Sequence, residues 1–432
     1  MFEIAYAAAT QRLCLFTGTG FSKAVSDQEA PGWQNLLEEV CDGLPEGADL
    51  KAALFPAKRG KPLSLEEAAQ VIELRLSRHG KSINTEIKTI IESLSVKGDV
   101  DAVQEFYQEY AFRVVTTNYD KLSEELAGDD RVQSIAPGRP IPRSSAPIKV
   151  YHVHGSIDSP ENMVVTSDDY FRFMGSDSYF SRKLSTILHE NTVVIIGYSL
   201  GDTNLKRIIN DYKLFANNHV IGSNLFFVSR KKIDQIVKDF YFHSFGIRVV
   251  DDLEVGEFFA QLNRSARLAF RIAEQSLKSI SNVIEKGMRF KDTYIKLEDS
   301  FFRVIASLPA KGFSLKHPRV VEVIGDFLER KREFTLEAGA WEQYDHLASW
   351  LIHLGTVFDV GNSKIKDIYL QAVRRSMVTM SKEKRLGYSW QAYKLWLSGW
   401  ASISAANRAM IREYICGQAV GAEAELIVDS ID

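Results

Sequence analysis

Short, mainly apolar runs recur along the first 265 residues, and most of them end at small or polar residues. The runs are Leu13–Phe16, Phe112–Val115, Ile148–Val153, Thr192–Ile196, Leu225–Val228 and Ile247–Val250. A run of this length bounded by turn residues is typical of a strand buried on both faces of a parallel sheet. Because helical patterns lie between several of these runs, the sequence predicts an α/β domain with a parallel sheet over residues 1–265.

Residues 44–100 interrupt this alternation. A loop with glycine and proline leads into Ser64-Leu65-Glu66-Glu67, which predicts a capping box at the start of a helix. The next apolar positions recur at helical spacing. They are Leu65, Ala68, Ala69, Ile72 and Leu76. We therefore expect residues 65–95 to form a small helical module, which either lies over a ligand crevice or only covers the sheet.

Long helical patterns replace the strands from residue 266 onward. They cover 266–285, 293–308, 319–331, 339–355, 363–380 and 387–417. Five of the six tryptophans lie in this part of the chain, and aromatic residues at helical spacing belong more often to a core than to a binding surface. The sequence predicts an all-α C-terminal domain over residues 266–432, with a role in assembly, partner docking or control.

Composition indicates a folded protein with nearly balanced charge. The chain has 432 residues and a net charge of −3, from 53 basic and 56 acidic residues. We therefore expect no direct binding to nucleic acid or membrane. Three scattered cysteines, no signal-peptide pattern and no apolar run near the roughly 20 residues of a membrane span predict a cytoplasmic protein.

Candidate chemistry begins where the first strand ends. Gly18, Thr19 and Gly20 follow that strand, and Ser22 comes shortly after. Glycines in this position let the backbone approach a diphosphate, and the start of the following helix offers free N–H groups to the anion. Neither a GxGxxG motif nor a Walker lysine is present. Taken alone, the motif is more typical of an ordinary strand-to-loop turn.

The segment Thr116-Thr117-Asn118-Tyr119-Asp120 follows the second strand. Its polar side chains therefore lie at the carboxyl end of a strand, where open α/β sheets bind their ligands. Asn118 in this position can hold a ribose hydroxyl or a water. The alternative is a capping role, because Asn and Asp are favoured helix caps.

His152 and His154 lie at the end of the strand that begins at Ile148. Being two residues apart, they share one face as long as the strand stays regular. A histidine beside a ligand crevice can act as a general base near neutral pH. Metal binding is the alternative for a His-x-His pair, although no neighbouring cysteine or carboxylate in the sequence completes a ligand set.

Polar residues also follow the next two strands. Gly197, Tyr198 and Ser199 turn the chain after Ile196, and Asp202 is a predicted cap for the helix beyond. Ser229 follows the strand Leu225–Val228 and is suited to a ribose or phosphate contact.

Four motifs thus occur in one order, GTGFS at 18–22, TTNYD at 116–120, YHVHGS at 151–156 and VVIIGYSLGD at 193–202. Sirtuin-type NAD-binding domains present such motifs in this order. Residues 10 to about 265 resemble the sirtuin (Sir2) domain, in particular its divergent bacterial branch in antiphage defence proteins. The resemblance implies a Rossmann-like parallel sheet of the Sir2 type with a helical insertion, and cleavage of the bond between nicotinamide and ribose in NAD.

The resemblance also implies residue roles. The residues that it implies for NAD binding are Gly18, Thr19, Gly20, Ser22, Thr117, Asp120, Gly197, Ser199 and Ser229. Among them, Asp120 contacts the carboxamide, and Gly197 and Ser199 lie under the adenosine half. The catalytic residues are Asn118, which orients the nicotinamide ribose or the attacking water, and His154, which is the base acting through a ribose hydroxyl.

The sequence departs from protein deacylases of this family in two places. Deacylases carry a zinc ribbon of four cysteines between the His-Gly and Gly-x-Ser motifs, and residues 156–196 contain no cysteine, so we expect no zinc. The segment EAPGW at 29–33 lacks the Phe-Arg pair of deacylases. Both differences favour water as the acceptor and hence an NAD glycohydrolase. The alternatives are a protein deacylase or ADP-ribosyltransferase, and a non-catalytic NAD or ADP-ribose sensor.

Partners follow from the resemblance alone. Unchecked loss of NAD would be toxic, so the resemblance implies a regulated, NAD-depleting effector in antiphage defence. Related defence proteins pair a Sir2 domain with a second region or partner, including a HerA-type ATPase or a short Argonaute. The implied assembly is a homo-oligomer, with a HerA-type ATPase as candidate partner.

Overall fold

The computed structural model describes residues 1–56, 63–141, 143–175, 179–199, 224–418 and 420–430. Within these ranges, one sheet contains seven parallel strands in the order β3-β4-β2-β1-β5-β6-β7. The strands are β1 Leu13–Thr17, β2 Phe112–Thr116, β3 Val132–Ile135, β4 Ile148–His152, β5 Thr192–Ile196, β6 Leu225–Val228 and β7 Ile247–Val250. The predicted α/β class and parallel sheet are confirmed. The predicted cap at Asp202 lies outside the described residues.

Strand β3 is the one strand in the described sheet that the apolar pattern did not predict. Only two of its four residues, Val132 and Ile135, are apolar, and it pairs only with β4 at the edge of the sheet. An edge strand needs fewer apolar residues because one side of it is not covered by another strand. Its strand conformation is therefore set by pairing with β4 rather than by a strong local signal.

Strand register brings the four motifs to one edge of the sheet. Thr17 of β1 pairs with Thr116 of β2 and with Ile196 of β5, and Thr116 pairs with His152 of β4. The strands run parallel, so the chain leaves all four of them at the same edge and at nearly the same level. The order β4-β2-β1-β5 therefore places residues that are far apart in sequence side by side.

Helices cover both faces of the sheet, and further helices follow it. Those before the long helix are Phe2–Ala9, Thr19–Val25, Trp33–Asp42, Gly47–Leu54, Leu65–Ser77, Ile83–Ile91, Asp101–Glu109, Leu122–Ala127, Ser167–Gly175, Tyr179–Glu190 and Gln235–Phe245. The remaining helices are Val255–Lys286, Asp292–Ile295, Ser300–Ala310, Pro318–Phe334, Gln343–Val357, Lys366–Thr379, Tyr388–Gly399, Ala405–Gly417 and Ala422–Asp429. The all-α character of the C-terminal part is confirmed.

The helical insertion begins as the sequence predicts. Ser64 Oγ accepts a hydrogen bond from the Glu67 N–H at 3.2 Å, and Glu67 Oε2 accepts one from the Ser64 N–H at 2.7 Å. The capping box is therefore confirmed. Buried residues of the insertion, such as Ile72 and Ile87, share a core with Tyr119 from the loop after β2. The insertion is thus anchored against the edge of the sheet where the motifs meet.

One helix of 32 residues, Val255–Lys286, joins the two parts of the chain. Its first half contributes Phe259 and Ala269 to the core under the sheet, and its second half contributes Ile280 and Val283 to the core of the C-terminal helices. Residue 265 lies inside this unbroken helix. The change from one core to the other falls between Ala273 and Ile280, because each half packs on a different neighbour.

The C-terminal helices enclose an aromatic core. Trp350, Trp396 and Trp400 are completely or almost completely buried, whereas Trp341 is 62% exposed. Most of the tail tryptophans are therefore core residues, as their spacing predicts. Within the described ranges, no helix is both long and apolar enough to cross a membrane.

Candidate active site

A cavity of about 210 Å³ opens at the carboxyl edge of β1, β2, β4 and β5. Eight of the eleven residues that the sequence singles out as site residues line it, namely Thr19, Ser22, Thr117, Asn118, Asp120, His154, Gly197 and Ser199. Gly18, Gly20 and Ser229 are not among the lining residues. The structure therefore brings together residues that are up to 180 positions apart in the chain, as expected for parallel strands that end at one edge.

Gly18, Gly20 and Gly197 allow the loop after β1 and the loop after β5 to pass each other in direct backbone contact. The Gly20 N–H donates to the Gly197 carbonyl at 2.8 Å, and the Gly18 N–H donates to the Ile196 carbonyl at 3.0 Å. A Cβ atom on Gly20 would lie 2.9 Å from Gly197 Cα. Gly18 and Gly20 thus act through close backbone packing, which holds Thr19 and Ser22 at the cavity.

Gly197→Ala tests this crossing. Gly197 has a φ of +81°, and a Cβ atom there would lie 2.2 Å from the Phe21 nitrogen. We expect the variant to lose more than about 2 kcal/mol of unfolding free energy, because strain and a backbone clash add together. Thermal unfolding measures this loss. Gly256→Ala is the control, since its Cβ would meet only a carbonyl oxygen at 4.0 Å and alanine favours a helix by about 0.5–1 kcal/mol. Equal unfolding temperatures for the two variants would contradict the prediction.

Ser22 links the two polar residues of the TTNYD loop. Its Oγ donates to Asp120 Oδ2 at 2.7 Å and accepts from Asn118 Nδ2 at 2.7 Å. Because Ser22 donates its single proton to Asp120, the atom of Asn118 that faces Ser22 must be the amide nitrogen. This chain fixes the orientation of the Asn118 amide. The amide oxygen is left to interact with a ligand.

Burial raises the pKa of Asp120, while the hydrogen bonds from Ser22 and from the Leu122 N–H act in the opposite direction. A buried carboxyl that is already oriented by hydrogen bonds can accept an N–H group of a bound molecule without further ordering. Asp120 therefore provides the main acidic group among the lining residues of the cavity.

His154 lies in the turn after β4 and is only 4% exposed. Its ring stands edge-on to the rings of Tyr170 and Phe173, with both centroids at 5.2 Å. Burial lowers the pKa of His154 to about 4. The imidazole is therefore neutral at physiological pH, which is the form that can accept a proton.

The two histidines do not share one face, contrary to the expectation from their spacing. Strand β4 ends at His152, so the alternation of side chains stops before His154. His152 is completely buried, and its Nε2 lies 2.8 Å from Glu124 Oε1, whereas His154 faces the cavity. Glu124 is the nearby carboxylate that sequence spacing did not reveal. Among the described residues, no group of three or more His, Cys, Asp or Glu side chains could hold a metal ion.

Several lining residues were not predicted from the sequence. Tyr198 donates to or accepts from Thr117 Oγ1 at 2.6 Å, and its ring stacks on Phe16. The opposite wall is apolar and is formed by Ala30, Pro31, Trp33, Leu36, Ile91 and Leu94. Ile91 and Leu94 belong to the insertion, which therefore borders the cavity. Their apolar character alone could not distinguish a cavity wall from a core.

Ser229 is placed away from this cavity. Its Oγ donates to the Lys231 carbonyl at 2.7 Å, and its N–H donates to the Val250 carbonyl at 2.9 Å. Both groups thus stabilise the turn after β6. A role for Ser229 in NAD binding stays a prediction.

A parallel sheet with polar residues of four strand ends around one cavity defines an α/β ligand-binding domain of the open-sheet class. Residues 113–250 match the family model of the SIR2-like domain. The chain carries a SIR2-like domain, and the resemblance seen in its motifs is confirmed.

Known proteins with similar sequences bear related names. The chain is 34% identical over 104 residues to the NAD(+) hydrolase ThsA of Enterococcus faecium, a match that covers 23% of this chain and 22% of that protein. It is 23% identical over 235 residues to the NAD(+) hydrolase ThsA of Cytobacillus dafuensis, a match that covers 52% of this chain and 43% of that protein. It is 29% identical over 102 residues to defense-associated sirtuin 2 of Bacillus subtilis, a match that covers 22% of this chain and 10% of that protein. The chain aligns with less than half the length of each of these relatives.

Proposed function

We propose that this protein hydrolyses NAD to nicotinamide and ADP-ribose. The observation that carries the proposal is the neutral, buried His154 in the same cavity as the oriented amide of Asn118. The names of two similar proteins, both NAD(+) hydrolases, support it. A base and an orienting amide around one cavity are what hydrolysis of a glycosidic bond by water requires.

The chemistry of the cavity suits the nicotinamide ribose half of NAD. Asp120 can accept a hydrogen bond from the carboxamide N–H group. The apolar wall that includes Trp33, Leu36 and Ile91 can contact the flat pyridine ring. Thr19 and Ser199 at the mouth of the cavity carry hydroxyls for the ribose and phosphate groups.

The reaction breaks the bond between ribose C1′ and the nicotinamide nitrogen, and the bonding electron pair leaves with nicotinamide. Water forms the new C1′–O bond and gives up one proton. Neutral His154 accepts that proton, either directly or through a ribose hydroxyl, and releases it to solvent. One NAD and one water thus yield nicotinamide, ADP-ribose and a proton. Asn118 holds the ribose or the attacking water in line with C1′.

The pH dependence of cleavage follows from His154. The base must be neutral, and burial lowers the pKa of His154 to about 4. We expect kcat/KM to stay level from about pH 8 to about pH 5 and to fall below about pH 4, rather than near the usual histidine range. The free energy of unfolding also decreases as the pH falls, because His154 is protonated at a higher pH in the unfolded chain than in the folded protein. Circular dichroism at each pH separates unfolding from titration, and an acid limb near pH 6.5 in folded protein would contradict the assignment.

Product analysis tests the proposed function. Purified full-length protein is incubated with NAD, and the products are separated by chromatography. Nicotinamide and ADP-ribose in equal amounts, with no change after treatment with a chelator, are expected. Cleavage only in the presence of an acylated or acceptor protein would indicate a deacylase or an ADP-ribosyltransferase. NAD binding without products would indicate a sensor.

The biological role that we propose is a cytoplasmic, NAD-depleting effector in antiphage defence. The name of the similar Bacillus subtilis protein, defense-associated sirtuin 2, supports this role. The helical region contacts the sheet domain through buried Arg408, which pairs with Asp239, and through Gln235, which donates to the Ala401 carbonyl at 2.6 Å. We propose that assembly of this region, as a homo-oligomer or with a HerA-type ATPase, controls cleavage. Light scattering of the purified chain, alone and with the ATPase, tests the assembly.

A further inference from the structure

A cluster of three ionisable residues, two of them buried, lies beside the site without lining the cavity. It consists of Lys121, Glu124 and His152, which we call the Lys121–Glu124–His152 cluster. Glu124 Oε1 lies 2.8 Å from His152 Nε2 and 2.7 Å from Lys121 Nζ. His152 is completely buried, and Glu124 is 8% exposed. A buried carboxylate is costly unless it is paired, and both His152 and Lys121 pair with Glu124.

The hydrogen-bond partners of His152 fix the orientation of its ring. Its Nδ1 lies 3.1 Å from the Asn118 carbonyl oxygen, which can only accept. Its Nε2 faces Glu124. Burial opposes ionisation of Glu124, but the charges of His152 and Lys121 outweigh it and lower the pKa of Glu124 to about 2. Since the Asn118 carbonyl can only accept, the Nδ1 of His152 carries hydrogen and donates to it.

Asn118 is held at three points. Its N–H donates to Thr116 Oγ1 at 3.1 Å, its side chain donates to Ser22, and its carbonyl accepts from His152. Within the described residues, His152 is the sole hydrogen-bond donor to that carbonyl. The His152 bond therefore fixes the plane of the peptide between Asn118 and Tyr119, at the base of the side chain that faces the cavity.

We propose that His152, held between Glu124 and the Asn118 carbonyl, is a positioning residue that holds the Asn118 backbone in the geometry required for NAD cleavage. This inference rests on the proposed function. Catalytic groups must be held within about 0.5 Å of their working position, and a displacement of about 1 Å can cost roughly 100-fold in rate. A rotated Asn118 peptide would move the amide by such a distance.

Replacing His152 by asparagine or by glutamine separates its effect on the position of Asn118 from its effect on the stability of the fold. In His152→Asn, the side-chain nitrogen lies where Nδ1 was, so the donor to the Asn118 carbonyl is retained and the contact with Glu124 is lost. In His152→Gln, the nitrogen lies where Nε2 was, so the contact with Glu124 is retained and the donor to Asn118 is lost. The two variants match in charge and in functional group.

The full-length protein and both variants are compared by NAD cleavage and by thermal unfolding. We expect His152→Gln to lower kcat by about 10- to 100-fold with KM changed by less than about threefold, because Asn118 acts on the reacting atoms rather than on NAD affinity. We expect His152→Asn to keep kcat within about fivefold, although its unfolding temperature is the lower of the two because Glu124 loses its buried partner. The order of activity should thus be opposite to the order of stability.

Three results would overturn the inference. Equal kcat values for the two variants, or kcat values that follow the unfolding temperatures, would show that the cluster is only structural. No NAD cleavage by the wild-type protein would remove the proposed function and this inference with it. A measurement independent of activity is the ¹⁵N spectrum of histidine-labelled protein. We expect one ring whose Nδ1 carries hydrogen and bonds to a carbonyl, with its signal absent in His152→Gln. Absence of this signal from the wild type would contradict the bond to Asn118.

Discussion

Replacing His154 by alanine is expected to lower kcat for NAD cleavage by roughly 10²–10⁴-fold, the usual contribution of a general base. His154 is the histidine that lines the cavity, and it is neutral because burial lowers its pKa to about 4. Its removal extends an existing cavity and breaks no hydrogen bond that the structure describes. The unfolding temperature should therefore change little. Steady-state kinetics and thermal unfolding of the same preparation measure both effects.

His243→Ala is the matched control, because His243 is exposed on the helix Gln235–Phe245. It should leave both kcat and stability unchanged. His154→Gln adds a second comparison, since glutamine fills most of the space but cannot accept a proton near neutral pH. Turnover near the wild-type value in either His154 variant would exclude His154 as the base.

Replacing Asn118 by alanine is expected to lower kcat by about 100-fold, because the water or ribose would lose the group that orients it. The variant also leaves Ser22 without the amide that donates to it at 2.7 Å. Ser22 still donates to Asp120, so we expect Asp120 to keep its position. NAD affinity should fall less than kcat, which single-turnover kinetics and calorimetric binding separate.

Asn118→Asp sharpens this test. It keeps the size of the side chain but puts a second carboxyl next to Ser22. The single proton of Ser22 cannot be donated to both the new carboxyl and Asp120. Two like charges so close to each other also raise the pKa of the carboxyl pair. We expect this variant to be as inactive as Asn118→Ala. Asn362→Ala, at an exposed position in the turn between the helices Gln343–Val357 and Lys366–Thr379, is the control. Normal activity in Asn118→Asp would show that Asn118 only fills space.

Much of the site could be predicted because its residues follow strands with strong local signals. Thr19, Asn118, His154 and Ser199 each come after a short apolar run, and chains that leave neighbouring parallel strands meet at one edge. The strand order was not predictable in this way. It depends on which strands pair, and the register that joins Thr17 to both Thr116 and Ile196 is a long-range choice.

The features that were not predicted depend on contacts between distant residues. Ser22 and Asn118 are 96 positions apart, and His152 and Glu124 are 28 apart, so neither hydrogen bond leaves a local pattern. The end of β4 at His152 has a similar origin. It turns His154 towards Tyr170 and Phe173, whereas spacing alone predicted a face shared with His152.

The sequence by itself determined the class of the domain, the strands that carry the motifs and the residue types at their ends, because apolar runs and turn residues act locally. Only the tertiary structure decided how these ends combine. It set the protonation of His154 through burial, the orientation of Asn118 through Ser22, and the extension of one helix, Val255–Lys286, through residue 265 into a second core. Burial and pairing are properties of neighbours in space, and the chain order does not specify which neighbours those are.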